Sequence, residues 1–140
     1  MDLNHLQLHV KDLERARKFY EAWFGFKERL KESDRIFLRN SKGFELALLL
    51  DRHHHALPEW FHFGFRLESP DPVRRLHTKM AEEGMPIRHS LTNAVDYVSF
   101  TCKDPDGYGI EIYWAQKKAA KHTKTHRGAH LKRRITDLME

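Results

Sequence analysis

The chain has 140 residues, 40% of them hydrophobic and 32% charged, with a formal net charge of +5; this is the composition of one globular domain, not of a disordered, fibrous or membrane-spanning chain. The longest wholly apolar run, Leu46 to Leu50, is far too short for a bilayer, and Met1 to Asn4 shows no secretion signal, so a cytoplasmic protein is expected. From Ala115 onward eight Lys/Arg stand against Asp137 and Glu140, a balance of +6 that leaves residues 1–114 at −1; a basic tail on a near-neutral body is weak ground for nucleic-acid binding, and none is expected.

In chain order, Leu6, Leu8 and Val10 alternate with His5, Gln7 and His9, which predicts a strand with one apolar face and one face carrying histidines. Asp12 then caps a helix whose stripe is Leu13, Ala16, Tyr20 and Trp23, ended by Gly25. Strands follow at about 26–31, 35–39 and 44–50, with Asn40 to Gly43 as the turn before the last. Residues Asp51 to Trp60 form a loop with His53, His54 and His55. Three neighbours in an extended segment cannot all face one cation, so an exposed polar loop, a single histidine at a cleft rim and an adventitious metal-binding tract are the readings it allows.

The second half repeats the order. Phe61, Phe63, Phe65 and Leu67 alternate with His62, Gly64 and Arg66; Asp71 caps and Pro72 opens a helix that turns Val73, Leu76, Met80 and Ala81 inward and ends at Gly84; strands fit near 86–89, 96–102 and 109–114. The turn Asp104-Pro105-Asp106-Gly107 feeds the last strand, where Ile110, Ile112 and Trp114 alternate with Gly109, Glu111 and Tyr113. Cys102, the single cysteine, shares the apolar parity of Val98 and Phe100 and reads as core. In the tail, Leu131, Ile135, Leu138 and Met139 allow a short amphipathic helix.

Strand, helix and three strands, twice over, predict an α+β fold of two βαβββ modules at about 1–52 and 60–114, one domain followed by a basic extension at 115–140. Glu111 is a carboxylate in mid-strand, costly unless paired or bound to a cation. Two strand imidazoles and this carboxylate could converge on one divalent ion with open coordination positions, although structural histidines show the same alternation. Arg66 shares the parity of His62 and calls for an anion, either a substrate carboxylate or an internal acid such as Glu45.

The stretches Leu3 to Leu13, Phe19-Tyr20, Gly25-Phe26, His62 to Phe65, and Asp104 to Gly107 leading to Ile110-Glu111 resemble, over about residues 3–114, the vicinal oxygen chelate superfamily of glyoxalase I, extradiol dioxygenases, fosfomycin-resistance and bleomycin-binding proteins. The resemblance implies a curved, cleft-enclosing mixed sheet from the paired modules, a homodimer, and His5, His62 and Glu111 as ligands of Fe(II) or Mn(II), with Zn(II) or Ni(II) as further candidates. It also implies a small-molecule substrate that chelates the metal through vicinal oxygens. Glyoxalase I adds a glutamate from the strand over 45–50; Leu48 occupies the matching position, and Glu45 or Asp51 would serve only after a shift in register. The basic residues that fosfomycin-modifying enzymes carry after the last strand correspond to Ala119 and Ala120. Arg88-His89, Asn93-Ala94 and the stretch from Asp104 to Tyr113 look most like extradiol enzymes, in which a histidine and a tyrosine near substrate correspond to His89 and, approximately, Tyr97. The expectation is a metal-dependent extradiol ring-cleavage dioxygenase with His89, His9 and Tyr97 as catalytic candidates and Arg66, Gln7 and Tyr113 at the substrate. A lyase or thiol transferase of the same fold and a non-catalytic binding protein of the bleomycin-resistance type are the alternatives.

Overall fold

The computed structural model describes residues 1–53 and 55–118; His54, the tail beyond residue 118 and the amphipathic helix expected there lie outside the described residues. The chain divides into two compact units, residues 1–57 with 103–108, and residues 58–102 with those from 109 onward.

In the first unit β1 (His5–Val10) turns Leu8 and Val10 into the core. Asp12 caps α1 (Leu13–Phe24) by accepting from the Arg15 N–H at 3.0 Å, and Gly25 closes it with φ 68°, a left-handed conformation that glycine adopts without strain. Ala16, Phe19 and Tyr20 are its buried residues, so the stripe runs through Phe19, with Trp23 only half-buried. Strands β2 (Lys27–Lys31), β3 (Arg35–Arg39) and β4 (Glu45–Leu50) complete a sheet of order β1-β4-β3-β2, in which β1 and β4 are parallel and the other pairs antiparallel. The register stacks Leu8, Leu48 and Ile36 on the core face. The opposite face carries the rows His5, Glu45, Arg39 and His9, Leu49, Arg35.

The second unit repeats this plan. Its sheet has the order β5-β8-β7-β6, from β5 (His62–Arg66), β6 (Ile87–Asn93), β7 (Tyr97–Lys103) and β8 (Gly109–Ala115), with β5 and β8 parallel. Ile110 and Ile112 of β8 and Val98, Phe100 and Cys102 of β7 are buried, so Cys102 is a core residue, as its parity predicts. Helix α2 (Pro70–Glu82) differs from expectation at its start: Ser69 is the N-cap, with Pro70 at the first position, and Asp71 falls in the first turn, where a carboxylate still meets the positive end of the helix. Val73 and Met80 are its buried residues and Ala81 is exposed, a correction to the inward stripe. Strand β6 is longer than the expected 86–89 because register shifts between Ile87 and His89 and between His89 and Thr92 break its alternation.

Both units therefore have the α+β topology βαβββ. Among the described residues no helix is long and apolar enough to cross a membrane.

Candidate functional site

The parallel pairing of β5 and β8 sets His62 beside Gly109 and Gly64 beside Glu111 on one face of the second sheet. The glycines make room. A Cβ at Gly64 would lie 2.9 Å from the Glu111 carbonyl oxygen and 3.3 Å from its Cβ, and one at Gly109 would lie 2.9 Å from Arg88 Nη1 and 3.3 Å from His62 Cβ. The contact at Gly64 is with backbone, which cannot swing aside. Gly64→Ala is therefore expected to cost about 1–3 kcal/mol of stability, read from the urea midpoint, by forcing β5 from β8.

His62 Nδ1 donates to the Trp60 carbonyl at 3.0 Å, so in the neutral ring Nε2 carries the lone pair. His62 Nε2 stands 3.6 Å from Glu111 Oε2, while the Tyr97 hydroxyl donates to Glu111 Oε1 at 2.7 Å. Donors on one ion with bonds of about 2.1 Å stand roughly 3–3.5 Å apart, so a divalent ion would fit between these two. Both donors also have the outer partners that metal ligands use for orientation. The residues fit a divalent ion.

His5, on the first unit's sheet, is likewise oriented through one ring nitrogen: its Nδ1 donates to Asn4 Oδ1 at 2.9 Å. Its register partner is Glu45, which brings that carboxylate alongside His5 with no shift, whereas Leu48 is wholly buried opposite Leu8. Glu45 is itself held by Arg29 at 2.9 Å and Arg39 at 3.3 Å.

The other candidates are spread over both units. His89 is exposed on β6 opposite Thr101. The Tyr113 ring stands 6.4 Å from that of Tyr97 on the face that carries Glu111. Arg66 donates to the Ala115 carbonyl at 2.6 Å, a main-chain partner that neither sequence reading foresaw. Arg88 Nη1 lies near Gly109 and His62, a placement that sequence reading did not foresee because the register is irregular next to His89. Gln7 Nε2 donates to His9 Nε2 at 3.3 Å, and His9 Nδ1 donates to Asp51 Oδ2 at 2.9 Å. His55 Nε2 reaches the same Oδ2 at 2.6 Å, and the His53 ring and backbone N–H both donate to Oδ1. Sequence reading allowed one of these loop histidines a role; two converge on one carboxylate because the loop turns back on Asp51. These bonds, from His9 first, then the His53 N–H and His55, hold the Asp51 carboxyl well below the usual carboxylate range.

The chain belongs to the Glyoxalase/Bleomycin resistance protein/Dioxygenase superfamily, whose sequence profile matches residues 2–112. Among curated relatives it is 28% identical to the trivalent organoarsenical cleaving enzyme of Bacillus sp. (strain MD1), over 90% of this chain and 80% of that one. It is 27% identical to an uncharacterized Bacillus subtilis protein, YqjT, over 79% of this chain and 96% of the relative. Among solved structures, a possible glyoxalase from Bacillus cereus superposes with a TM-score of 0.71 at 29% identity, covering 80% of this chain and 97% of that one.

Proposed function

We propose that this protein is a divalent-metal-dependent enzyme acting on a small molecule that binds the metal through two neighbouring oxygens, and that its reaction is extradiol ring cleavage. His5, His62 and Glu111 are the ligands in this proposal. The observation that carries it is the 3.6 Å approach of His62 Nε2 to Glu111 Oε2, with both groups oriented from behind by the Trp60 carbonyl and the Tyr97 hydroxyl. A divalent ion held there supplies Lewis acidity toward two adjacent substrate oxygens, and as Fe(II) or Mn(II) also the capacity to react with dioxygen.

The chain's residues take the remaining roles. Arg88, against Gly109 and His62, meets negative charge on the substrate; Tyr113 and Tyr97 give it an aromatic wall; His89 accepts the proton of a substrate hydroxyl. His9 is not assigned that role, since both its nitrogens are engaged by Gln7 and Asp51. The arsenical substrate of the Bacillus relative is not carried over: trivalent arsenic bonds thiolates, and the one cysteine, Cys102, is 0% exposed in the core. A homodimer of this chain in the cytoplasm is part of the same proposal.

Anaerobic loading with Fe(II), then a panel of catechols with oxygen uptake and a yellow ring-opened product as readouts, tests the reaction. Absence of uptake with every catechol, together with metal-dependent turnover of a thiol adduct, would replace ring cleavage by lyase chemistry. A specific observation favours that second reading: Glu45 stands beside His5, where a fourth carboxylate ligand would be placed. Glu45→Gln separates the two. For ring cleavage, turnover stays within about twofold of wild type because Arg29 and Arg39 keep Glu45 off the ion; for a lyase that uses it as a ligand and base, turnover falls at least about 100-fold.

A further inference from the structure

We infer a second divalent-cation site in the first unit, formed by His9 Nδ1, Asp51 Oδ2 and His55 Nε2, distinct from the ligands proposed above and independent of that reading. The three donor atoms lie within 4.8 Å of one another. Asp51 Oδ2 stands 2.9 Å from the His9 nitrogen and 2.6 Å from that of His55. Donors bound to one ion at about 2.1 Å stand roughly 3.4 Å apart in a tetrahedron, so each contact opens by less than about 1 Å to admit the ion. No backbone movement is needed on the strand side, because His9 is fixed in β1 and the loop bearing His55 is exposed.

The surroundings match a ligand set. Asp51 Oδ1 is held by the His53 backbone N–H at 2.9 Å and the His53 ring at 3.1 Å, which fixes the carboxylate as a one-oxygen donor through Oδ2. When His9 gives its Nδ1 lone pair to the ion, its proton sits on Nε2, and the Gln7 amide turns its oxygen to accept it; His55 likewise keeps its proton on Nδ1, so none is released. Two neutral imidazoles and one carboxylate suit Zn(II), Co(II) or Ni(II) better than Ca(II) or Mg(II).

The site opens onto a cavity of about 180 Å³, also lined by Lys11, Arg15 and Tyr108. Three protein donors leave at least one coordination position toward this space. Arg15, paired with Asp106 at 3.2 Å, and Lys11 both line this cavity and bring positive charge to it, so a small oxyanion is the fitting fourth ligand.

The test uses untagged full-length chain carrying His62→Ala and Glu111→Ala, dialysed against buffered micromolar Zn(II). One equivalent is expected to remain bound. Adding Asp51→Asn or His55→Gln is expected to weaken it by more than about 100-fold, while adding His122→Ala, His126→Ala and His130→Ala together leaves it in place. His55 is an exposed loop residue, so its replacement reads binding without threatening the fold. No bound equivalent at the outset, retention after both replacements, or loss on changing the tail histidines alone would each overturn the site. With Co(II) in place of zinc, inorganic phosphate is expected to shift the visible absorption; an unmoved band would overturn the open position.

Discussion

Glu111→Ala is expected to remove one equivalent of Fe(II) from the anaerobically loaded protein and to lower turnover at least about 10³-fold, since several kcal/mol of Lewis-acid stabilisation go with the ion. Glu111 Oε2 faces His62 Nε2 and its Oε1 is tied by Tyr97, with Gly64 beside it leaving no side chain in competition. Tyr97→Phe removes the orienting bond and is expected to cost about 10–100-fold in metal affinity, with the ion recoverable at higher concentration. Iron content and kcat measured on the same preparations check both. A Glu111→Ala protein that keeps its iron and its turnover would remove Glu111 from the ligand set.

The second large effect is on stability. Asp104→Ala is expected to destabilise the protein by about 3–5 kcal/mol, because three donors lose their acceptor. The Tyr20 hydroxyl donates to Asp104 Oδ2 at 2.7 Å, and the backbone N–H groups of Asp106 and Tyr108 donate to Oδ1 at 2.9 Å each. The residue is 4% exposed. Burial pushes its carboxyl up to about 6 from the ordinary 3.8, against the opposing pull of the Tyr20 and backbone hydrogen bonds.

The sign of the pH effect follows. Between pH 3.8 and 6 the folded chain holds a proton at Asp104 that the unfolded chain has released, so this group's contribution to stability is fully present below that window and declines as pH rises through it. A shift of about two units corresponds to roughly 3 kcal/mol. Asp104→Asn keeps an oxygen for the two backbone N–H groups and carries no charge. Wild-type stability minus that of Asp104→Asn should therefore fall by about 3 kcal/mol from pH 3.5 to pH 7 in urea titrations. A difference that rises over this range would show the carboxylate to be favoured on folding.

The features legible in the sequence are those set by near neighbours. The cap at Asp12 and the stop at Gly25 lie within one helical turn of what they satisfy, and alternation alone placed His62 and Glu111 on one face of their sheet. The start of α2 was misread by two residues because Ser69-Pro70 and Asp71-Pro72 carry the same cap-then-proline signal, and only the tertiary course of the chain decides between them. Strand β6 was misread because two register irregularities erase the period on which a strand is recognised, and with it the placement of Arg88. Glu45 beside His5 was out of reach for another reason: the register of two parallel strands joined by a helix and two more strands cannot be counted along the chain. The meeting of His9, Asp51 and His55 depends on a loop's return path, which no periodicity encodes.

Tyr20, His9 and Lys11 find partners in Asp104, Tyr108 and Asp106, which are 84, 99 and 95 residues away in the chain. During synthesis the first βαβββ unit therefore emerges whole by Leu57 yet lacks the segment that closes it until Tyr108 has been made. At ribosomal speeds that wait is on the order of 3 to 10 seconds, during which the buried Tyr20 hydroxyl has no carboxylate to bond. The first unit therefore cannot make its last contacts before residues 103–108 have been translated.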